Sequence, residues 1–200
     1  MKTTLILLAA TAMLSGCGLL QGPTAADPRE TLRRADLDAV GNPLLLAVLP
    51  GKGVFASLMP LVRKGDTLTW VTADGVTLAF ENGVLTGSRG LGDDLMGGDA
   101  GGTASAIAGG ATRYARRYGY LSGDNQWIAL QFRCEVTARQ DETIVIVEHR
   151  QATRRTDERC SGNDLVVENS YWAGSDGLVW KSRQWVGPEV GYLETERLVR

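Results

Sequence analysis

The sequence predicts an all-β domain: an antiparallel, meander-rich sandwich or partly open barrel with one short N-terminal helix. Three observations carry this. Asp74-Gly75 and Asn82-Gly83 fall between runs of alternating apolar and polar residues, and such dipeptides supply the positive φ that tight hairpin turns require. Strand-like runs recur along the rest of the chain with turn residues between them. No strand–helix alternation of the kind that builds a parallel α/β sheet is present.

The elements follow in chain order. Lys2 gives a positive start and Leu5–Leu14 an apolar core, too short for the ~20 residues a spanning helix needs. Residues 1–16 have the layout of a secretory signal peptide. Leu14-Ser15-Gly16-Cys17 resembles the lipobox of bacterial lipoproteins, in which the cysteine is acylated and becomes the new N-terminus. Residues 17–27 then read as a lipidated flexible tether, and residues 28–200 as a single β-rich periplasmic domain. Gly18, rather than aspartate, after that cysteine resembles the pattern that lets lipoproteins move on to the outer membrane.

Asp27-Pro28 reads as an N-cap with proline at the first helical position. It opens a short helix carrying Leu32, Ala35, Leu37 and Ala39 and ending near Gly41-Asn42-Pro43. Leu44–Leu49, closed by Pro50-Gly51, reads as a buried strand. Residues 66–88 form a three-strand meander, with Leu68, Trp70 and Thr72 on one face of the first strand and Val76, Leu78 and Phe80 on one face of the second. Residues 87–110, rich in Gly, Ala and Asp, read as a long loop with one helical turn at Gly92–Met96. Strands resume at 112–121, 126–139 and 143–148, the last rich in β-branched residues. Strands at 164–173, 178–186 and 190–199 complete the chain, with Ser175-Asp176-Gly177 as a turn.

Lys and Arg total 21 against 23 Asp and Glu, so charge gives no argument for a nucleic-acid partner. There are three cysteines. Lipidation of Cys17 leaves Cys134 and Cys160, which an oxidising periplasm would join in a disulfide. The alternative is two buried free thiols.

A further set of residues runs in order through the chain: Trp70-Val-Thr-Ala-Asp-Gly75, Asn82-Gly-Val-Leu85, Arg89-Gly-Leu-Gly-Asp-Asp-Leu95, Phe132-Arg-Cys134, Cys160, Glu168-Asn-Ser-Tyr171 and Lys181-Ser-Arg-Gln-Trp-Val186. This set resembles the YjbF family of bacterial lipoproteins, related to the capsule lipoprotein GfcB. The resemblance implies a Gram-negative periplasmic lipoprotein linked to export of exopolysaccharide or capsule. It implies no catalytic residues.

Gly174-Ser175-Asp176-Gly177 approaches a nucleophile elbow, but a strand follows where the elbow needs a helix; a hairpin turn fits better. The only histidine is His149, at a strand end. Gly90-Leu-Gly92 lacks the glycine a phosphate-binding fingerprint needs at position 95, which is Leu95. Asp93, Asp94 and Asp99 offer oxygen ligands without EF-hand spacing. A solvated loop is the plainer reading, with Arg89 pairing Asp93 or Asp94. No metal, cofactor or catalytic residue is expected.

Five tryptophans lie on or near strands, and exposed aromatic faces can stack on sugar rings. Trp180 and Trp185 fall on opposite faces of one strand, so one of them must be exposed or covered. Arg113-Tyr-Ala-Arg-Arg-Tyr118 interleaves arginine and tyrosine, and Arg150, Arg154, Arg155 and Arg159 form a second basic cluster. These clusters face anionic polysaccharide or lipid headgroups, or else pair with Asp141, Glu142, Asp157 and Glu158 on solvated strands. The candidate loop or glycan contacts are Arg89, Asp93, Asp94, Arg113, Arg117, Trp180 and Trp185.

The expected function is an outer-membrane-anchored accessory lipoprotein for exopolysaccharide or capsule production or export, without enzymatic activity. Its expected partners are the membrane, through Cys17, then polysaccharide and polysaccharide-export proteins, with no nucleic acid. The alternatives are a glycan-binding module using exposed aromatics and arginines, and a polysaccharide-modifying enzyme with paired carboxylates.

Overall fold

The computed structural model describes residues 27–122 and 124–200. The signal segment and the tether up to residue 26, Cys17 included, lie outside the described residues.

The chain opens with the expected cap. The Asp27 side chain accepts a hydrogen bond from the Arg29 N–H, Pro28 follows it, and a 3-10 turn runs over Pro28–Glu30. The helix expected there is split, with α1 only at Arg34–Val40, ending on Gly41 at φ 68°. Twelve strands follow, interrupted by α2: β1 (Leu44–Leu49), β2 (Val54–Lys64), β3 (Thr67–Val71), β4 (Thr77–Glu81), β5 (Val84–Arg89), β6 (Asp94–Gly98), α2 (Gly101–Ile107), β7 (Arg113–Leu121), β8 (Trp127–Ile146), β9 (His149–Gly162), β10 (Leu165–Ala173), β11 (Val179–Gly187) and β12 (Gly191–Val199). They form one antiparallel sheet in the order β5-β4-β3-β2-β1-β12-β11-β10-β9-β8-β7-β6.

That sheet is a nearly closed barrel, and β5 and β6 are its two edges. They meet through side chains rather than a regular ladder. The Leu95 N–H donates to Ser88 Oγ at 3.1 Å, and the Arg89 guanidinium donates to the Leu95 carbonyl at 2.9 Å. An unpaired edge is a template for unwanted pairing; here these bonds bridge the two edges. Where β6 runs out, α2 covers the gap, with Ala100, Ala104 and Ile107 packing on Val84 and Tyr171.

Every strand contributes to one interior cluster, from Leu45 on β1 and Leu58 on β2 to Trp185 on β11 and Leu193 on β12. The barrel is therefore filled by side chains. Polar groups tie it across: Gln184 of β11 accepts from the Leu85 N–H at 2.8 Å and donates to the Gly83 carbonyl at 3.0 Å. A second cluster lies on the opposite face of β1, where Leu46 and Val48 pack with Leu37 of α1, Ile144 and Ile146 of β8, Trp172 and Leu198. Burial on both faces explains the unbroken apolar run of β1.

The meander over residues 66–88 matches its expectation. Asn82 and Gly83 both take positive φ, as a two-residue hairpin turn requires. At the Asp74-Gly75 turn only Gly75 does so, and its N–H donates to the Thr72 carbonyl.

Residues 87–110 correct the sequence reading. They hold the end of β5, all of β6 and α2, not a long loop. Two of their glycines are packing positions: a Cβ on Gly98 would sit 3.5 Å from the Leu85 carbonyl oxygen, and one on Gly102 would strike the Tyr114 ring at 2.6 Å. The strands expected at 126–139 and 143–148 are one continuous strand, β8. Its partner β9 was not anticipated, because its inward residues before Cys160 are Thr156 and Glu158, which give no apolar alternation.

Cys134 and Cys160 face each other in the β8–β9 ladder and are joined by a disulfide. It closes a loop of 26 residues, worth roughly 3.5 kcal/mol in the chain-entropy view. Cys134→Ser/Cys160→Ser is expected to lower the urea midpoint accordingly; an unchanged midpoint would contradict a stabilising role.

Candidate functional site

One mouth of the barrel is ringed by the β2–β3, β4–β5 and β10–β11 turns and by the end of β12. It holds a cleft of about 290 Å³ lined by Arg63, Arg197 and Arg200, with Trp70 and Phe80 beneath and Asp66 and Asp176 at its edge.

The strand registers place these arginines. On β12, Leu193, Thr195 and Arg197 share one face, and Arg197 stands opposite the inward Leu45 of β1. Arg197 therefore points into the mouth. On β2 a bulge changes the parity. Pro60 pairs with Trp70, but beyond the bulge Val62 pairs with Thr69 and Arg63 with Leu68. A one-residue slip exchanges the faces of a strand, and bulges re-aim side chains at functional places. Here Arg63 turns toward Leu68 and the mouth, while Val62 is left 55% exposed.

The Arg197 guanidinium lies 5.1 Å from the centre of the Trp70 ring, a favourable cation–π placement. Its Nε is buried and finds no hydrogen-bond partner among the described residues. Burial, then the nearby charges of Arg63 and Arg200, push the Arg197 pKa down to about 10. Arg200 is partly neutralised by Asp176 at 2.6 Å.

A second polar centre lies inside the barrel. Arg116 and Glu158 form an ion pair at 2.7 Å, each only 1% exposed. Glu158 Oε1 also accepts from Asn169 at 2.7 Å and from the Tyr171 hydroxyl at 3.0 Å. Its Oε2 accepts from Thr103 of α2 and from the Tyr114 hydroxyl. Burial pushes the Tyr171 hydroxyl well above its ordinary pKa, against the pull of Arg116, so it serves as a neutral donor. The carboxylate is thus occupied from both oxygens, and α2 is tied to the barrel through it. Cys134, Glu158 and Cys160 bring potential ligand atoms within 4.8 Å of one another. The disulfide consumes both thiols, which leaves no thiolate to hold a metal.

The residues singled out from sequence are dispersed. Arg89 does not pair with Asp93 or Asp94; its guanidinium donates to the Ser88 and Leu95 carbonyls, closing the barrel seam. Asp94 accepts from the Gly90 N–H at 2.9 Å, and Asp93 sits half-buried in the bend before β6. Arg113 and Arg117 are on the outer face of β7, where Arg113 lies 3.8 Å from Glu135 and Arg117 3.0 Å from Asp99. Trp185 is 6% exposed and packs in the interior, so it is no stacking platform; Trp180 is half-buried against the second cluster. Trp127 is 63% exposed, with its ring over Gly119. In the second basic cluster, Arg154 pairs with Asp141, Arg155 with Asp157 and Arg159 with Glu168.

Sequence reasoning missed Arg63, Arg197 and Arg200. Arg197 carried a signal, since it continues the inward phase of Leu193 and Thr195. Arg63 carried none, because its orientation depends on a bulge.

Comparison with known proteins adds the following. A family model described as group 4 capsule polysaccharide lipoprotein gfcB, YjbF, matches residues 9–198. A comparison with curated protein sequences finds no match. Among solved structures, the chain is similar to the crystal structure of the hypothetical lipoprotein YmcC from Escherichia coli K12, with a TM-score of 0.75 and 17% identity, over 90% of this chain and 97% of that one. At that identity the likeness is one of fold. With the family pattern spanning residues 9–198, the chain belongs to the YjbF family of group 4 capsule polysaccharide lipoproteins.

Proposed function

We propose that this protein is an accessory lipoprotein for production or export of exopolysaccharide or capsule, anchored in the outer membrane through acylated Cys17 and facing the periplasm. The family match over residues 9–198 is the observation that carries the reading. The lipobox Leu14-Ser15-Gly16-Cys17 supports the anchor. In this reading residues 1–16 are removed and residues 17–27 tether the barrel. Asp27 forms the junction, since its carboxylate holds Arg29, which reaches Glu196 on β12 at 3.4 Å.

A role in contact rather than catalysis is supported by how the interior is used. The most enclosed carboxylate, Glu158, is occupied by Arg116, Asn169 and two tyrosines, an arrangement that braces a fold rather than moving protons.

The test is a deletion strain. Extracellular polysaccharide is expected to fall at least tenfold and to return with the wild-type gene. Unchanged output after deletion would remove the reading.

A further inference from the structure

We propose that the arginine cleft at the barrel mouth binds an acidic sugar residue of a polysaccharide, its carboxylate held by Arg197 and Arg63. The inference builds on the proposed role in polysaccharide production or export and names the site of contact.

Orientation is the first support. An inward register position and a bulge aim two arginines at one cavity. The bulge also leaves Leu61 and Val62 exposed to water, which is an unfavourable arrangement for the free fold. Arg197 is the second. Its buried Nε is without a partner among the described residues, and the neighbouring charges of Arg63 and Arg200 are of its own sign. A buried polar atom left without a partner costs stability, and a carboxylate entering the cleft would supply one.

The chemistry of the surroundings selects the ligand. Guanidinium groups match carboxylates with paired, charge-assisted hydrogen bonds. The cleft also carries Asn82 and Asp66, which can meet sugar hydroxyls, above the apolar floor of Trp70 and Phe80. Its volume is at the lower end of the range for small-ligand sites, about 300 Å³. A second, open groove of about 1010 Å³ shares Asn82, Asp176 and Gly177 with the cleft and runs past α2 and β9. A polymer bound by one acidic residue would therefore have a continuing path. A membrane phosphate, presented on a flat surface, would need neither the recess nor the groove.

The full-length lipoprotein in phosphatidylcholine nanodiscs can be titrated with trigalacturonate, with maltotriose as the neutral counterpart and inorganic phosphate as the simple anion. Trigalacturonate binding is expected, at least tenfold tighter than either. Arg197→Met and Arg63→Met are each expected to weaken it tenfold or more. The thermal midpoint of Arg197→Met is expected at or above that of the wild type, since an uncompensated charge is removed. If Arg197→Met fails to fold, the exposed Arg63 carries the test. No binding of trigalacturonate, equal binding of maltotriose or phosphate, or undiminished binding by both variants would overturn the proposal. So would loss of trigalacturonate binding on replacing phosphatidylcholine by phosphatidylglycerol, which would assign the cleft to a lipid surface. Failure here with a polysaccharide-deficient deletion strain would reject the cleft and leave the accessory role intact. Binding here with an unaffected deletion strain would reject that role and leave the site.

Discussion

Glu158→Ala is expected to destabilise the fold by about 3–5 kcal/mol, the cost of leaving a buried charge without its partner. Arg116 would stay inside the barrel at 1% exposure with its counter-ion gone. Asn169, Tyr114, Tyr171 and Thr103 would lose an acceptor at the same time. α2 should loosen as well, because Thr103 is one of its links to the barrel. Arg116→Met/Glu158→Met should recover the part of the loss that comes from the stranded charge, while Asn169, Tyr114, Tyr171 and Thr103 stay without that acceptor. Urea denaturation of the two variants separates the contributions. An unchanged midpoint for Glu158→Ala would mean that the pair does not organise the interior.

Trp185→Ala is expected to cost a similar amount, about 3–5 kcal/mol, as for other large-to-small aromatic changes in a core. The ring meets Tyr118 and Phe132 edge to face, with centroids 5.6 and 5.7 Å away, and Tyr120 at 6.4 Å. This aromatic group fills the barrel where β7, β8 and β11 converge. Sequence alternation separated Trp180 from Trp185 correctly but left open which of them was inward. Any loss of glycan binding by Trp185→Ala should therefore track the unfolded fraction, and binding should return under conditions that refold the variant. Binding lost from a fully folded Trp185→Ala protein would instead make the ring a contact.

The parts of the fold that were legible in sequence are those fixed by local chemistry. Asn82-Gly83 demands a hairpin turn wherever it falls between alternating runs, and Asp27-Pro28 caps and starts a helical turn. The disulfide followed from redox compartment and cysteine count. What was not legible depends on partners distant in sequence. β9 turns Thr156 and Glu158 inward, and Arg116 and its neighbours make the buried carboxylate tolerable. Gly98 of β6 lies against β5 and Gly102 of α2 against the Tyr114 ring, which no local pattern reveals. The candidate site shows the same division. Arg197 continues an apolar phase and could have been noticed, whereas Arg63 faces the mouth only because Leu61 is bulged out of the ladder.

The central claim is that this barrel, held at a membrane, serves polysaccharide output by contact through its arginine mouth. The most direct measurement is extracellular polysaccharide from a deletion strain whose only copy carries Arg63→Met/Arg197→Met. The account predicts wild-type levels of the protein in the membrane fraction with polysaccharide near that of the deletion, while Trp127→Ala restores it. Full restoration by the double arginine variant would contradict the account.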